Sequence, residues 1–534
     1  MDSPTALDAF AARLAERGVK RFFGVPGGDC SLDLIDACAR AGIDFILTRA
    51  ESAAAMMASV TAELTGAPGV VMTTRGPGLA HALNGVAYAT LDRAPLLVLA
   101  DGYDKNIDHV SHQRFDQEAV VAPLVRASGR LVGTDGGREL DRLIDATFSV
   151  PPGPVYVEMR GSEIRAKVEP AKGPAPAAKP AAPAPEIPEK LRILLGKARK
   201  PIIIAGLQAS DKDAARALRQ LVDRWNCPVL QTYKSHGSVP SSDPRAVGFY
   251  IGGVAEEPVI KEADLIVLYG LDAIEFPPHR WRYDAPIVEL TTHAFSRNIV
   301  SPEVSLVGPL PQLAEAVSGL AGPGDWTDDF FARTRVELRR KADASAGSPI
   351  SPQMVADAVK AAAPKNTRIT LDAGAHMLPA VHTWDSDEPR QTLISRGLAT
   401  MAFAIPAAIA SALAEPDRPV VAFTGDGGVM MCGGELGTAA QYGCKMVTVV
   451  FNDSSLTLIS AKQQQRGLQN AGVDFSGANF AKVAEGFGCL GIRVEKPEEL
   501  APAMQRAFAH DGPALVDVVV DPAAYKPQLA SLRG

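Results

Sequence analysis

Short apolar runs of strand type, each ending near a turn rich in glycine or proline and followed by a helical stretch, recur along this chain. They read Arg21-Phe22-Phe23-Gly24-Val25, Phe45-Ile46-Leu47, Val70-Val71-Met72-Thr73 and Leu96-Leu97-Val98-Leu99-Ala100, and later Pro201-Ile202-Ile203-Ile204-Ala205, Asp264-Leu265-Ile266-Val267-Leu268 and Pro286-Ile287-Val288-Glu289-Leu290. The last two are Pro419-Val420-Val421-Ala422-Phe423 and Met446-Val447-Thr448-Val449-Val450-Phe451. Runs apolar on both faces and separated by crossover helices predict parallel sheets covered by helices on each side. The expected fold class is α/β, with three doubly wound parallel-sheet domains at 1–165, 189–345 and 346–534. Residues 166–188 are dominated by Ala and Pro, which cannot bury a core, and read as an extended linker. A chain of 534 residues accommodates three domains of about 150–200 residues each. Before the first strand, Leu7, Phe10, Ala11 and Leu14 mark an amphipathic helix that Ser3 can cap, with Pro4 in its first turn.

In a doubly wound sheet, ligands bind beyond the carboxyl ends of the strands. Gly425-Asp426-Gly427-Gly428 sits at such a place, between a strand and a helix whose face is marked by Leu436, Ala439 and Ala440. Glycines there let bare backbone approach a ligand, and amides at a helix start suit an anion such as a phosphate. The next strand delivers Asn452, 26 positions after Asp426, to the same edge. A carboxylate and an amide oxygen suit a hard cation of the Mg²⁺ type, so the pair reads as a metal-bridged diphosphate site. Pro26-Gly27-Gly28-Asp29 and Gly76-Pro77-Gly78 are further candidate site loops.

Other classes fit poorly. The formal charge is −7 and the Lys and Arg residues form no basic stripe, which excludes nucleic acid as a partner. The six cysteines, at 30, 38, 227, 432, 444 and 489, contain no Cys-x-x-Cys pair, and the N-terminus does not read as a signal peptide. No apolar run approaches the ~20 residues of a membrane span. The expectation is a cytoplasmic protein with no membrane partner. In the middle segment the first strand is followed by Gly206-Leu207-Gln208-Ala209-Ser210 rather than Gly-x-Gly-x-x-Gly, which disfavours a nicotinamide cofactor.

An ordered set of motifs resembles the thiamine-diphosphate-dependent acetolactate synthase and 2-keto-acid decarboxylase superfamily over nearly the whole chain. The set runs FGVPGG (23–28), TRAES with Glu51, TRGPGLAHALNGV (74–86), HQRFDQ (112–117), DAGAH (372–376), GLATMAFAIPAA (397–408), and GDGG (425–428) followed by Asn452. The resemblance implies a pyrimidine-binding first domain, a Rossmann-like middle domain and a diphosphate-binding third domain. It implies that Glu51 hydrogen-bonds the aminopyrimidine ring and promotes loss of the C2 proton, the step on which thiamine chemistry depends. Asp426, Asn452 and the Ser454 main chain match the Mg²⁺ ligands. Gly76, Pro77, Gly78 and Asn84 match the pyrimidine-side loops, and Gly374, His376, Gly425, Gly427 and Gly428 match the diphosphate side. Ala375 stands where a Gln is frequent. Met401 matches a large apolar residue beneath the cofactor. The glutamate and the diphosphate site belong to different subunits in this resemblance, which implies a homodimer or homotetramer with active sites at the subunit interface.

Asp29 and His112 resemble proton-handling residues of the keto-acid decarboxylases, whereas Gln113 resembles a glutamine of acetolactate synthases and oxalyl-CoA decarboxylases. Where decarboxylases carry a glutamate after Asn452, this chain has Leu458, which argues for transfer to a second carbonyl. Arg75 departs from the small residue usual before the Gly-Pro-Gly turn. FAD, bound by some relatives in the middle domain, is disfavoured, because Leu271-Asp272-Ala273-Ile274-Glu275-Phe276 replaces a motif rich in Asp and Arg. The expected activity is decarboxylation of a 2-keto acid, with the product joined to an aldehyde or keto-acid acceptor. The alternatives are plain decarboxylation or C–C cleavage, and a catalytically degenerate binding or regulatory protein on the same fold.

Overall fold

The computed structural model describes residues 4–104, 109, 111–132, 138–168, 185–277, 280–296 and 299–534. Residues 169–184, most of the expected linker, lie outside them. The described residues form three six-stranded sheets. The first contains β1 (Arg21–Gly24), β2 (Asp44–Leu47), β3 (Gly69–Thr73), β4 (Leu96–Asp101), β5 (Ala127–Arg130) and β6 (Pro154–Met159), in the spatial order β2-β1-β3-β4-β6-β5. The second contains β7 (Pro201–Ala205), β8 (Val229–Gln231), β9 (Ala246–Phe249), β10 (Leu265–Tyr269), β11 (Ile287–Thr291) and β12 (Val304–Val307), ordered β12-β11-β10-β7-β8-β9. The third contains β13 (Arg368–Leu371), β14 (Thr392–Ile394), β15 (Val420–Gly425), β16 (Met446–Asn452), β17 (Leu490–Val494) and β18 (Pro513–Val519), ordered β14-β13-β15-β16-β18-β17.

Each pairing in these sheets is parallel. The central strands are buried along their length, as sheets covered on both faces require. The third sheet repeats the strand order of the first, while the second has the doubly wound order of dinucleotide-binding proteins. The N-terminal helix, Ala6–Glu16, is capped by Thr5 in a reciprocal box with Asp8; Ser3, the cap the sequence suggests, lies outside the described residues. Asp8 lies three residues into the helix and can return a bond to the cap amide, which is what selects Thr5.

Two helices join the first and third sheets. Glu51–Thr65 and Ala404–Ala414 are apolar on nearly every face and are buried against each other in one core. Both give buried alanines to that core, including Ala54, Ala55, Ala58, Ala407 and Ala408. Ile405 and Ile409 add about 1.5–3 kcal/mol each by full burial. This packing fixes the direction in which the Glu51 end of its helix points.

A polar node ties the three sheets together. Lys234, after β8, is 5 % exposed and reaches Glu63 at 3.1 Å and Asp92 at 3.4 Å, both from the first unit, and the Ile394 carbonyl of the third at 3.3 Å. Asp92 also accepts the Arg396 and Gly397 amides at 2.9 and 3.2 Å. Nearby, Arg93 grips Asp272 through two hydrogen bonds of 2.9 and 3.0 Å. Two carboxylates around one ammonium make a burial that is tolerable only while all three remain together.

Candidate active site

The loop after β15 and the end of β16 bring Asp426 and Asn452 to one edge of the third sheet. Asp426 opens a helix, Asp426–Cys432, and its Oδ1 accepts the Gly427 amide at 2.7 Å. Its Oδ2 is buried with no hydrogen-bond partner. Burial raises the Asp426 pKa, opposed by backbone amides at Gly427, Ser454 and Asp453. Asn452 donates its amide protons to the Ala478 carbonyl at 3.0 Å and to Asp517 at 2.9 Å, which leaves the amide oxygen as its available group. Ser454 has a left-handed φ of 59°, and its carbonyl accepts the Phe475 amide. An unsatisfied carboxylate oxygen beside an oriented amide oxygen fits an octahedral Mg²⁺ that takes its remaining ligands from diphosphate and water. Among the described residues no group of three His, Cys, Asp or Glu side chains could hold a metal by itself.

The glycines divide into two kinds. A Cβ at Gly427 would stand 3.0 Å from Met401 Cε and 2.9 Å from Leu456, so this glycine faces the apolar side of the site. A Cβ at Gly428 would stand 2.2 Å from Asp372 Oδ2 and 2.3 Å from Thr424 Oγ1. Gly428 is therefore a packing residue. The carboxylate it makes room for accepts the Phe403 and Ala404 amides at 2.6 and 2.7 Å and the Thr424 hydroxyl at 2.6 Å. Asp372 thus anchors the start of the Ala404–Ala414 helix, a role that its place in the DAGAH motif did not reveal.

His376 packs its ring against Gly374 and Gly425, with Nε2 buried and unpartnered, and burial lowers its pKa to about 4. A neutral imidazole with one free nitrogen at this edge fits a role beside an anionic group. Met401 lies between Ala399 and Ala402, whose φ values of 52° and 64° put both in the left-handed region. For residues with a Cβ that strain persists only where surrounding packing enforces it. Here it presents Met401 toward Gly427.

The first sheet supplies the other face. Glu51 opens the helix Glu51–Thr65, its side chain is 11 % exposed, and its carboxylate bonds His81 Nδ1 at 2.8 Å. It is no solvated capping carboxylate. A Cβ on Gly78 would lie 3.3 Å from Glu51 Oε1, so the Gly76-Pro77-Gly78 turn abuts the glutamate directly. Gly76 has φ of 67°, and its amide donates to the buried Gln117 at 2.8 Å. His81 and Gln117 lie within motifs the sequence singled out, but only their contacts show what they do. Asn84 is exposed and bonds Thr400, the neighbour of Met401, at 3.1 Å.

The remaining expected residues surround this turn. Asp29 forms an ion pair with Arg75 and a second with Arg165 at 3.4 Å. His112 and Gln113 are exposed; the His112 carbonyl accepts the Tyr103 hydroxyl, and Gln113 has φ of 64° with its backbone against Gly76. Asp101 is buried beside this group, its Oδ1 is unpartnered, and burial raises its pKa to about 6. No contact joins Glu51 to Asp426 or Asn452 among the described residues. The candidate residues thus gather in two groups, one at the carboxyl edge of the first sheet and one at that of the third.

Comparison with known proteins matches the thiamine pyrophosphate enzyme N-terminal TPP binding domain over residues 4–120, the central domain over 189–317 and the C-terminal TPP binding domain over 372–518. The chain is 27% identical to the acetolactate synthase of Bacillus subtilis, covering 95% of this chain and 92% of that protein. It is 29% identical to the acetolactate synthase large subunit of Haemophilus influenzae (95% and 93% covered), and 28% identical to acetolactate synthase isozyme 3 large subunit of Escherichia coli (98% and 96%). With three consecutive domain matches in the order of its three sheets, the chain belongs to the thiamine-diphosphate-dependent enzymes of the acetolactate synthase superfamily.

Proposed function

We propose that this enzyme decarboxylates a 2-keto acid and joins the remaining acyl donor to the carbonyl of an aldehyde or a second keto acid. The observation that carries the reading is the pairing of Glu51, buried against the Gly76-Pro77-Gly78 turn, with the unsatisfied Asp426 and oriented Asn452. When bound, thiamine diphosphate would supply the carbanionic carbon and the electron sink that decarboxylation of a 2-keto acid requires. Glu51 holds a proton at its carboxylate against the aminopyrimidine. Asp426, Asn452 and the Ser454 carbonyl would hold Mg²⁺. His376, Gly374 and Gly425 border the diphosphate. Met401, beside Gly427 and Leu456, would line the cofactor's apolar side.

Three further readings belong to this proposal. The enzyme works as a homodimer or homotetramer in which Glu51 of one chain completes the diphosphate site of the other. Support comes from His81, 60 % exposed beside Glu51, and from Met430 and Met431, 48 % and 62 % exposed on the helix that Asp426 opens. FAD in the middle domain is disfavoured. In support, the Glu275 carboxylate fills the crevice between β7 and β10, accepting the Leu207 amide at 2.7 Å, the Asp272 amide at 3.1 Å and the Thr232 hydroxyl at 2.6 Å. Those are the donors a bound diphosphate would need. The cytoplasm suits six buried, free cysteines, and no helix among the described residues is long and apolar enough to cross a membrane.

The test is product analysis with pyruvate, alone and with an added aldehyde, in the presence of thiamine diphosphate and Mg²⁺. A hydroxy-ketone or hydroxy-keto acid formed with CO₂ is expected; aldehyde as the sole product would assign plain decarboxylation instead.

A further inference from the structure

We propose that Arg75 is a specificity-determining residue that pairs with Asp29 and thereby steers the decarboxylated donor toward an acceptor carbonyl rather than toward a proton. The inference rests on the reaction proposed above.

Three loops at the carboxyl edge of the first sheet meet at this guanidinium. Asp29 follows β1, Arg75 follows β3, and Asp101 and Tyr103 stand at and beyond the end of β4. Arg75 pairs with Asp29 Oδ2 and stacks over the Tyr103 ring at 4.6 Å, with 17 % of its side chain exposed. Arg165 approaches the other oxygen, Oδ1, at 3.4 Å. Both oxygens of the loop carboxylate therefore face a guanidinium, so that each is engaged by an ion pair rather than turned to a reacting group. Tyr103 turns its hydroxyl to the His112 carbonyl, so the histidine loop is held by its backbone, and no hydrogen bond joins the Asp29 and His112 side chains. Arg75 immediately precedes the turn whose Gly78 lies against Glu51. The pair is thus one turn away from the group that activates the cofactor.

The chemistry gives that position a consequence. Loss of CO₂ leaves an electron pair on the former carbonyl carbon of the donor. If the pair takes a proton, a C–H bond forms and an aldehyde leaves. If it attacks an acceptor carbonyl, a C–C bond forms, and the proton goes instead to the acceptor's oxygen. Each outcome consumes one proton per CO₂, so the branch is decided by which electrophile reaches the carbon first. A general acid at the carbon accelerates the first outcome by about 10²–10⁴-fold. Committing Asp29 to Arg75 and Arg165 withdraws that acid.

The experiment compares the holoenzyme with Arg75→Ser, and with Arg75→Met as a variant that keeps packing on Tyr103, using pyruvate with thiamine diphosphate and Mg²⁺. Both variants are expected to release CO₂ while the share of aldehyde among products rises by about tenfold or more, as release of a general acid implies. Arg75→Lys keeps the charge and is expected to keep the parent ratio. Adding Asp29→Asn to Arg75→Ser returns the ratio to the parent value. Carboxyl-carbon NMR of the cofactor-free protein gives a second readout: Asp101, near about 6 with Arg75 opposing its rise, titrates higher in Arg75→Ser. Normal CO₂ release with an unchanged ratio, or an aldehyde gain that persists without Asp29, overturns the role of Arg75. Absence of CO₂ from the parent enzyme with every 2-keto acid overturns the proposed reaction instead, and the inference with it.

Discussion

Glu51 owes its position to two neighbours: the Gly76-Pro77-Gly78 turn, which leaves room beside its carboxylate, and His81, which bonds it at 2.8 Å. Glu51→Gln preserves shape and removes the exchangeable carboxyl proton, so CO₂ release from any accepted keto acid should fall by about 10²–10⁴-fold. Calorimetry should show thiamine diphosphate still binding in the presence of Mg²⁺, because the Asp426 and Asn452 side is untouched. Full turnover in this variant would remove Glu51 from the mechanism. At this scale the sequence offers candidates where a motif carries its own chemistry, as with Asp426, Asn452 and Glu51. It is silent about His81, Gln117 and Asp372, whose roles depend on which distant group they touch. Asp372 meets the Phe403 amide 31 positions later, a separation that no local pattern encodes.

Elements carry two further predictions. The helix opened by Asp426 can follow β15 so tightly because Gly428 leaves space for Asp372 and Thr424. Gly428→Ala places a methyl within 2.3 Å of both oxygens; overpacking of this kind costs about 1–3 kcal/mol, and urea denaturation should show that loss. An unchanged midpoint would mean that the strand-to-helix turn adjusts freely. In the middle sheet, burial raises Glu275 from 4.5 to about 7. The folded chain therefore keeps a proton that the unfolded chain has released, and stability falls as pH rises from 4.5 to about 7, by up to about 3 kcal/mol from this group. Glu275→Gln should remove that share. Its unfolding free energy should rise relative to the parent's between pH 4.5 and pH 7, the variant gaining in relative stability, and a constant difference would place the proton elsewhere. The missing glycine fingerprint is visible in the sequence, whereas the carboxylate that closes the crevice is not, because Glu275 lies 68 residues from the Leu207 amide it accepts.

Over the whole molecule, the Lys234 node and the Arg93–Asp272 pair hold three separately built sheets in one arrangement. Lys234→Met leaves Glu63 and Asp92 buried without their counter-charge, which should cost about 3–5 kcal/mol. Limited proteolysis should then release the middle unit sooner than in the parent. Equal resistance would show that the apolar contacts alone set the arrangement. The repeated strand order of the first and third sheets places their carboxyl edges in equivalent roles, one bearing Glu51 and the other Asp426.

By itself the sequence determined the α/β class, the three parallel sheets and the family resemblance, and it named the candidates for cofactor chemistry. These follow from strand and helix periodicity and from short motifs, both of which are local in the chain. Only the tertiary structure decided that Thr5 caps the first helix, that Gly428 lies against Asp372 and Thr424, that Glu275 accepts the distant Leu207 amide, and that Arg75 and Arg165 pair with Asp29. Each of these depends on groups brought together by sheet order and helix packing, and burial then sets their charge and hydrogen bonding. A side chain's type is written in the chain, but its partner is chosen by the fold.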